Sequence, residues 1–119
     1  MNRKRARIIF FILASSAARA SFGGGAPLPV FTLAVKDGGF EPKTLTLPAG
    51  QKVKLVVSND TAGPVEFESF SLHREQVVVA GAKISVFIGP LKPGSYDFFD
   101  DFHPGAAGTI AVSSSTSAR

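Results

Sequence analysis

Gly94-Ser-Tyr-Asp-Phe-Phe-Asp-Asp-Phe-His-Pro-Gly-Ala-Ala-Gly-Thr-Ile-Ala-Val112 reads as two strand-like runs joined by a short polar loop. Successive side chains of a strand point to opposite faces, so Tyr96, Phe98 and Asp100 share one face, and it is the apolar one. The loop gathers Asp100, Asp101 and His103 among Phe98, Phe99 and Phe102, and Pro104-Gly105 then predicts a chain reversal. A carboxylate at the end of a buried face is costly unless it is hydrogen-bonded, ion-paired or metal-bound. Two readings follow: Asp100 and His103 ligate a cation, or Asp100 accepts backbone N–H bonds within a turn. Asp101 has the opposite parity and is expected to point away.

The same grammar extends back along the chain. Val30–Val35 is a first β-prone run, broken at Gly38-Gly39. Thr44–Leu47, Lys52–Val57 and Val65–Phe70 alternate apolar with polar residues, separated by Pro48-Ala-Gly50 and by a loop over 59–64. Val77–Val79 and Lys83–Ile88 flank Gly81, and Pro90-Leu-Lys-Pro-Gly94 turns the chain into Tyr96–Asp100 and Thr109–Val112. About eight short strands, regular turn signals and no helical period predict an all-β Greek-key sandwich or barrel. Val53, Leu55, Val57, Phe67, Phe87 and Phe98 are expected to face the core. Phe99 and Phe102 are expected to wall the polar loop.

Glu66 and Glu68 lie two apart on one strand, so their carboxylates share a face roughly 6.5–7 Å apart. They repel unless a cation or a proton intervenes, although alternating glutamates also occur on plain solvated faces. His73 and Glu75, with Arg74 between them, read as a surface turn in which Glu75 forms a salt bridge or supports the metal loop. No Ser-His-Asp order and no phosphate-binding glycine loop is supported, and Gly23-Gly-Gly25 reads as linker.

The chain of 119 residues suits one small domain. Its formal charge of +4 is concentrated at the start, where Arg3, Lys4, Arg5, Arg7 and Arg19 precede or border a short apolar run, Ile8–Ala14. That pattern, closed by Ala18-Arg19-Ala20, predicts a signal peptide over 1–20. A flexible lead-in over 21–29, one domain over 30–112 and a polar tail over 113–119 follow. Of thirteen Lys and Arg, the five in the leader leave eight against nine Asp and Glu. A net charge near −1 removes the electrostatic footing for nucleic-acid binding. The leader implies a periplasmic location, and the absence of cysteine rules out disulfides and thiolate ligands.

Phe40-Glu-Pro-Lys-Thr-Leu-Thr-Leu-Pro-Ala-Gly50, Leu55-Val-Val-Ser-Asn59, Glu66-Phe-Glu-Ser69, Gly89-Pro-Leu-Lys-Pro-Gly-Ser-Tyr96, Phe98-Phe-Asp-Asp-Phe-His103 and Gly108-Thr-Ile-Ala-Val112 occur in this order. Together they resemble the cupredoxin-like family, and within it the EfeO-type subgroup of periplasmic iron-transport proteins. The resemblance implies a metal site at one end of the sandwich and a role in iron import. It also implies an inner-membrane iron permease and a periplasmic iron-binding protein as partners. In that alignment Asp100 occupies the usual cysteine position, Glu66 stands at the upstream histidine, and Phe40 lies where a subgroup cysteine can sit. Glu66, Glu68, Asp100 and His103 are thus the expected ligands of one iron or copper ion. A type 1 copper electron-transfer centre is excluded, since it needs a thiolate. Assisted oxidation of ferrous iron, copper storage or chaperoning, and metal-free docking stay open as functions.

Overall fold

The computed structural model describes residues 27–114. The expected signal peptide, most of the lead-in and the tail from residue 115 lie outside them. The described residues form nine strands and no helix. They are β1 (Val30–Lys36), β2 (Gly39–Glu41), β3 (Thr44–Pro48), β4 (Val53–Asn59), β5 (Val65–Ser69), β6 (Arg74–Val78), β7 (Lys83–Ile88), β8 (Gly94–Asp100) and β9 (His103–Ser113). One sheet has the order β2-β1-β4-β7 and the other β3-β9-β8-β5-β6. Only β1–β2, β5–β6 and β8–β9 are hairpins within a sheet, so every other connection crosses the sandwich. The all-β sandwich expected from the sequence is what forms.

The ninth strand is β2. The Gly38-Gly39 break is a hairpin turn, with Gly39 at φ 117°, a conformation glycine adopts without a Cβ clash. The turn swings Phe40 inward, where it is 1 % exposed. Phe40, Phe67 and Phe98 interlock at the centre, with Phe40 edge-on to Phe98 at 4.8 Å and Phe67 tilted by 35° against Phe98 at 5.6 Å. Leu33, Val35, Leu45, Leu47, Val53, Leu55, Val57, Ile88 and Ile110 surround them.

Two expectations are corrected. Phe87 is 46 % exposed rather than buried. Its cross-strand partner is Lys54, whereas Val86 pairs with Leu55 and Ile88 with Val53. Directly opposed residues share a face, so the lysine carries Phe87 outward. The reversal expected at Pro104-Gly105 instead falls at Asp101-Phe102, since Asp100 pairs with His103 and β9 already contains Pro104 and Gly105.

Asn59 knits the β4–β5 connection. Its side-chain amide donates to the carbonyls of Gly63 and Val78, both at 2.9 Å, and its Oδ1 accepts from the Thr61 N–H and hydroxyl. Gly108 answers a packing need. A Cβ there would meet Phe98 Cζ at 2.5 Å and the Lys43 carbonyl at 2.6 Å. The carbonyl is backbone and cannot yield, so Gly108→Ala is expected to cost about 1–3 kcal/mol through overpacking, read as a lower midpoint in urea unfolding.

Candidate functional site

Residues at the β8–β9 turn are placed by one buried side chain. Asp100 is 1 % exposed and lies opposite Phe67 on the inner side of the sheet. Its Oδ1 accepts the backbone N–H of Glu66 at 2.9 Å and of Phe102 at 3.0 Å, while Oδ2 meets His103 Nδ1 at 2.7 Å. The carboxylate thus clamps the turn to β5. Of the two readings of Asp100, its contacts are those of the turn: backbone N–H groups and an imidazole occupy its oxygens.

His103 is exposed. With Nδ1 held by Asp100, the ring presents Nε2. A carboxylate behind an imidazole is the usual means of fixing its tautomer and orientation. The pair borders a cleft of about 560 Å³ at this end of the sandwich, lined also by Val35, Gly39, Thr61 and Ala106.

Glu66 and Glu68 lie elsewhere. Their neighbours Val65, Phe67 and Ser69 are buried, and the two glutamates are half-buried on the outer face of the five-stranded sheet. Glu66 therefore sends its N–H to Asp100 and its side chain to the opposite side. The four expected ligands divide into two pairs on two sides of one sheet. Alternation along β5 is the reason, because a residue cannot present its side chain to both faces.

The glutamates are joined instead by Asp101. One carboxylate oxygen from each of Glu66, Glu68 and Asp101 lies within 4.8 Å of the others. Asp101 N–H donates to the Glu66 carbonyl at 2.9 Å, which brings the turn over the outer face. Parity along β8 does point Asp101 away from the core, but the turn carries it back over Glu66. The signal for it was its place one residue after a buried carboxylate, at a turn where strand alternation ends.

Glu75 completes the cluster. It stands opposite Glu68 in the β5–β6 pair, where the sequence suggested a salt bridge or a supporting contact. Partial burial, then a hydrogen bond and repulsion from Glu75, then the charges of Asp101 and Glu68, push the Glu66 carboxyl up to about 7. Partial burial and the same neighbours Glu75 and Asp101 raise that of Glu68. Phe99 sits beside Glu68 in register and packs edge-on against Phe70 at 5.4 Å. Phe102 is 46 % exposed. His73 lies in an exposed turn with φ 57°, as its sequence setting suggested.

This two-sheet frame and its loop pole are those of a cupredoxin. The chain belongs to the cupredoxin-like domain family, whose profile matches residues 5–112. It is 39 % identical over 75 residues to an uncharacterized protein of Rickettsia prowazekii (strain Madrid E), an alignment covering 63 % of this chain and 60 % of that relative. Solved structures of similar fold include a purple cupredoxin from Nitrosopumilus maritimus, with TM-score 0.56 and 19 % identity over 70 % of this chain and 99 % of that one. The metal-binding domain of a Cu(I)-exporting P-type ATPase from Streptococcus pneumoniae D39, solved with Cu(I), has TM-score 0.64 and 13 % identity over 71 % and 84 %. Amicyanin from Paracoccus versutus has TM-score 0.58 and 18 % identity over 74 % and 85 %.

The donors present do not fit a type 1 copper ion. That centre takes a thiolate and two imidazoles. The chain has no cysteine, the carboxylate at the expected cysteine position is engaged by three partners, and His73 lies in the turn before β6 whereas His103 opens β9.

Two outcomes are expected. Asp100→Ala leaves the Glu66 and Phe102 N–H groups without an acceptor and lowers stability by about 2–4 kcal/mol, measured by chemical unfolding. Glu66 gives a pH signature. Its folded pKa, about 7, lies above the ordinary value of 4.5, so the folded state holds a proton that the unfolded state releases. That stabilisation is complete below pH 4.5 and is lost as pH rises through about 7. The melting temperature of chelator-treated protein should fall across this window, and the fall should shrink in Glu66→Gln.

Proposed function

We propose that this is an exported metal-carrying protein that captures iron, or assists its oxidation, for delivery to a membrane iron permease. The observation carrying the proposal is the convergence of Glu66, Glu68 and Asp101 on a cupredoxin frame that has no cysteine. Carboxylate oxygens suit hard cations such as Fe, Mn, Mg and Ca, and disfavour Cu(I). Oxygen donors already within 4.8 Å of one another can close on one such ion at metal–oxygen distances of about 2.0–2.6 Å. The cation displaces the proton held at Glu66, so capture strengthens as pH rises through about 7. Glu75 adds negative charge beside the three ligands. The likeness to EfeO-type proteins supports iron as cargo, the periplasm as location, and an inner-membrane permease with a periplasmic iron-binding protein as partners. Oxidation would need a second metal or a partner as electron acceptor, because one mononuclear site cannot reduce oxygen fully.

A second reading, copper storage or chaperoning, is favoured by His103. Its Nε2 faces solvent beside the cleft, its Nδ1 is fixed by Asp100, and N/O sites bind Cu(II) more tightly than Fe(II). In this reading Asp100 orients His103 rather than ligating the ion.

Calorimetric titration with Mn(II), and with Fe(II) under argon, separates the readings. The iron proposal expects the Glu66→Gln/Glu68→Gln/Asp101→Asn variant to bind at least about ten-fold more weakly and His103→Ala to bind as the wild type does. Unchanged Mn(II) and Fe(II) affinity in the triple variant overturns it. Loss of Cu(II) binding in His103→Ala alone supports the second reading.

A further inference from the structure

The end of the sandwich opposite the cleft has a chemistry of its own. The cleft lies where β1 ends and β9 begins, whereas β1, β4 and β8 start at the far pole and β7 and β9 end there. Segments 49–52 and 89–93 close that pole, joined by the Gly50 N–H to the Leu91 carbonyl at 2.9 Å. Lys54 N–H donates to the Pro29 carbonyl at 2.9 Å, which ties the residues before β1 to the same place.

Cross-strand pairing sets Val30, Lys54 and Phe87 in one outward row of the four-stranded sheet. Two residues back along the same segments, a period of two turns Leu28 and Lys52 to the same face. Leu28 is 38 % exposed and Val30 57 %, and Phe87 is exposed as well. Lys52 and, on the neighbouring segment, Lys92 are also exposed. Three apolar side chains thus stand among three lysines. Residues 27–36, 42–59 and 76–96 contain no Asp or Glu. The carboxylates on this sheet lie toward the cleft: Glu41 pairs with Ala34, and Asp60 N–H donates to the Val35 carbonyl at 2.8 Å. Four or five residues of extended chain separate them from Val30 by roughly 13–17 Å. Arg74 does not belong with the lysines, because its guanidinium is taken up by the carbonyls of Leu72, His73 and Phe87.

The chain that joins the domain here has a matching character. Residues 1–26 hold five Arg and Lys and no Asp or Glu, and they include the apolar run Ile8–Ala14. Pro27-Leu28-Pro29 makes the patch continuous in sequence with that segment.

We infer that this pole rests on a bilayer surface bearing anionic headgroups, through Leu28, Val30 and Phe87 and the lysines 52, 54 and 92. Apolar tips among cations suit an interfacial site: the tips enter the headgroup boundary while the ammonium groups stay level with the phosphates. A bilayer offers diffuse negative charge with no fixed register, which meets lysines carried on two separate segments without a dedicated carboxylate for each. Three apolar side chains are few, so attachment is shallow and reversible. Salt weakens it, since the lysines are exposed. In this orientation the cleft and His103 point away from the bilayer. The inference does not rest on the metal reading, because none of these six residues is a proposed ligand.

Co-sedimentation with vesicles, using the protein as cells produce it from the full chain, tests this. Phosphatidylcholine vesicles containing about one-third phosphatidylglycerol should carry the protein down in about 50 mM salt and release it in about 500 mM. Vesicles of phosphatidylcholine alone should leave it in solution. Lys52→Glu/Lys92→Glu should lower the partition coefficient at least about ten-fold while keeping the urea midpoint of the wild type. The chain has no tryptophan, so Phe87→Trp and Phe102→Trp each place a single reporter, one at either pole. Emission from Phe87→Trp should shift to shorter wavelength on the anionic vesicles, and that from Phe102→Trp should not. Failure of the wild type to bind either vesicle overturns the inference and leaves the patch to a protein partner. Equal binding to both vesicles, undiminished binding by the lysine variant, or a shift at Phe102→Trp as large as that at Phe87→Trp overturns it too.

Discussion

A single buried carboxylate organises the loop end of this sandwich. Asp100 lies inside the protein with its oxygens shared among two backbone N–H groups and an imidazole. A charge taken out of water is tolerable only when its hydrogen-bonding capacity is met, and here partners from β5, from the turn and from β9 meet it. The same bonds fix the β8–β9 turn against Glu66. Once that register is set, Asp101 has one place to go, above the outer face and beside the glutamates.

The family's usual chemistry and this chain's chemistry therefore part at one position. At the position where the family resemblance expects a cysteine, an aspartate turns toward the backbone. Its partners hold the pole in shape without a thiolate. The carboxylates able to converge on a cation lie on the sheet face instead, where partial burial and their mutual repulsion hold Glu66 and Glu68 above ordinary acidity. Like charges kept together at a cost to the metal-free fold are consistent with a cation that relieves them.

Charge is also sorted at the scale of the whole domain. Near-neutral composition beyond residue 20 conceals an acidic outer face on the five-stranded sheet, with Glu66, Glu68, Glu75 and Asp97, beside a four-stranded sheet whose outer face mixes Lys36, Lys54 and Lys83 with Glu41 and Asp60. Composition alone averages over that separation, because it has no record of which strand lies in which sheet.

Much of the architecture was legible in the residues. Alternation in β4, β5 and β8 assigned Val53, Leu55, Val57, Phe67 and Phe98 to the core, since a period of two fixes which side chains share a face. The same period separated Glu66 and Glu68 from that core and carried Asp100 into it. The sequence also excluded a thiolate centre outright. Other features were settled only in three dimensions. Phe87 faces outward because its opposite number is Lys54, a pairing between strands distant in sequence. β2 was hidden by the glycines that turn the chain into it. Asp101 joins Glu66 and Glu68, and Asp100 joins His103, because the turn packs on β5. Local pattern determines the face that each strand residue presents; which faces meet, and which carboxylates share one point in space, is decided by tertiary contacts that no local period encodes.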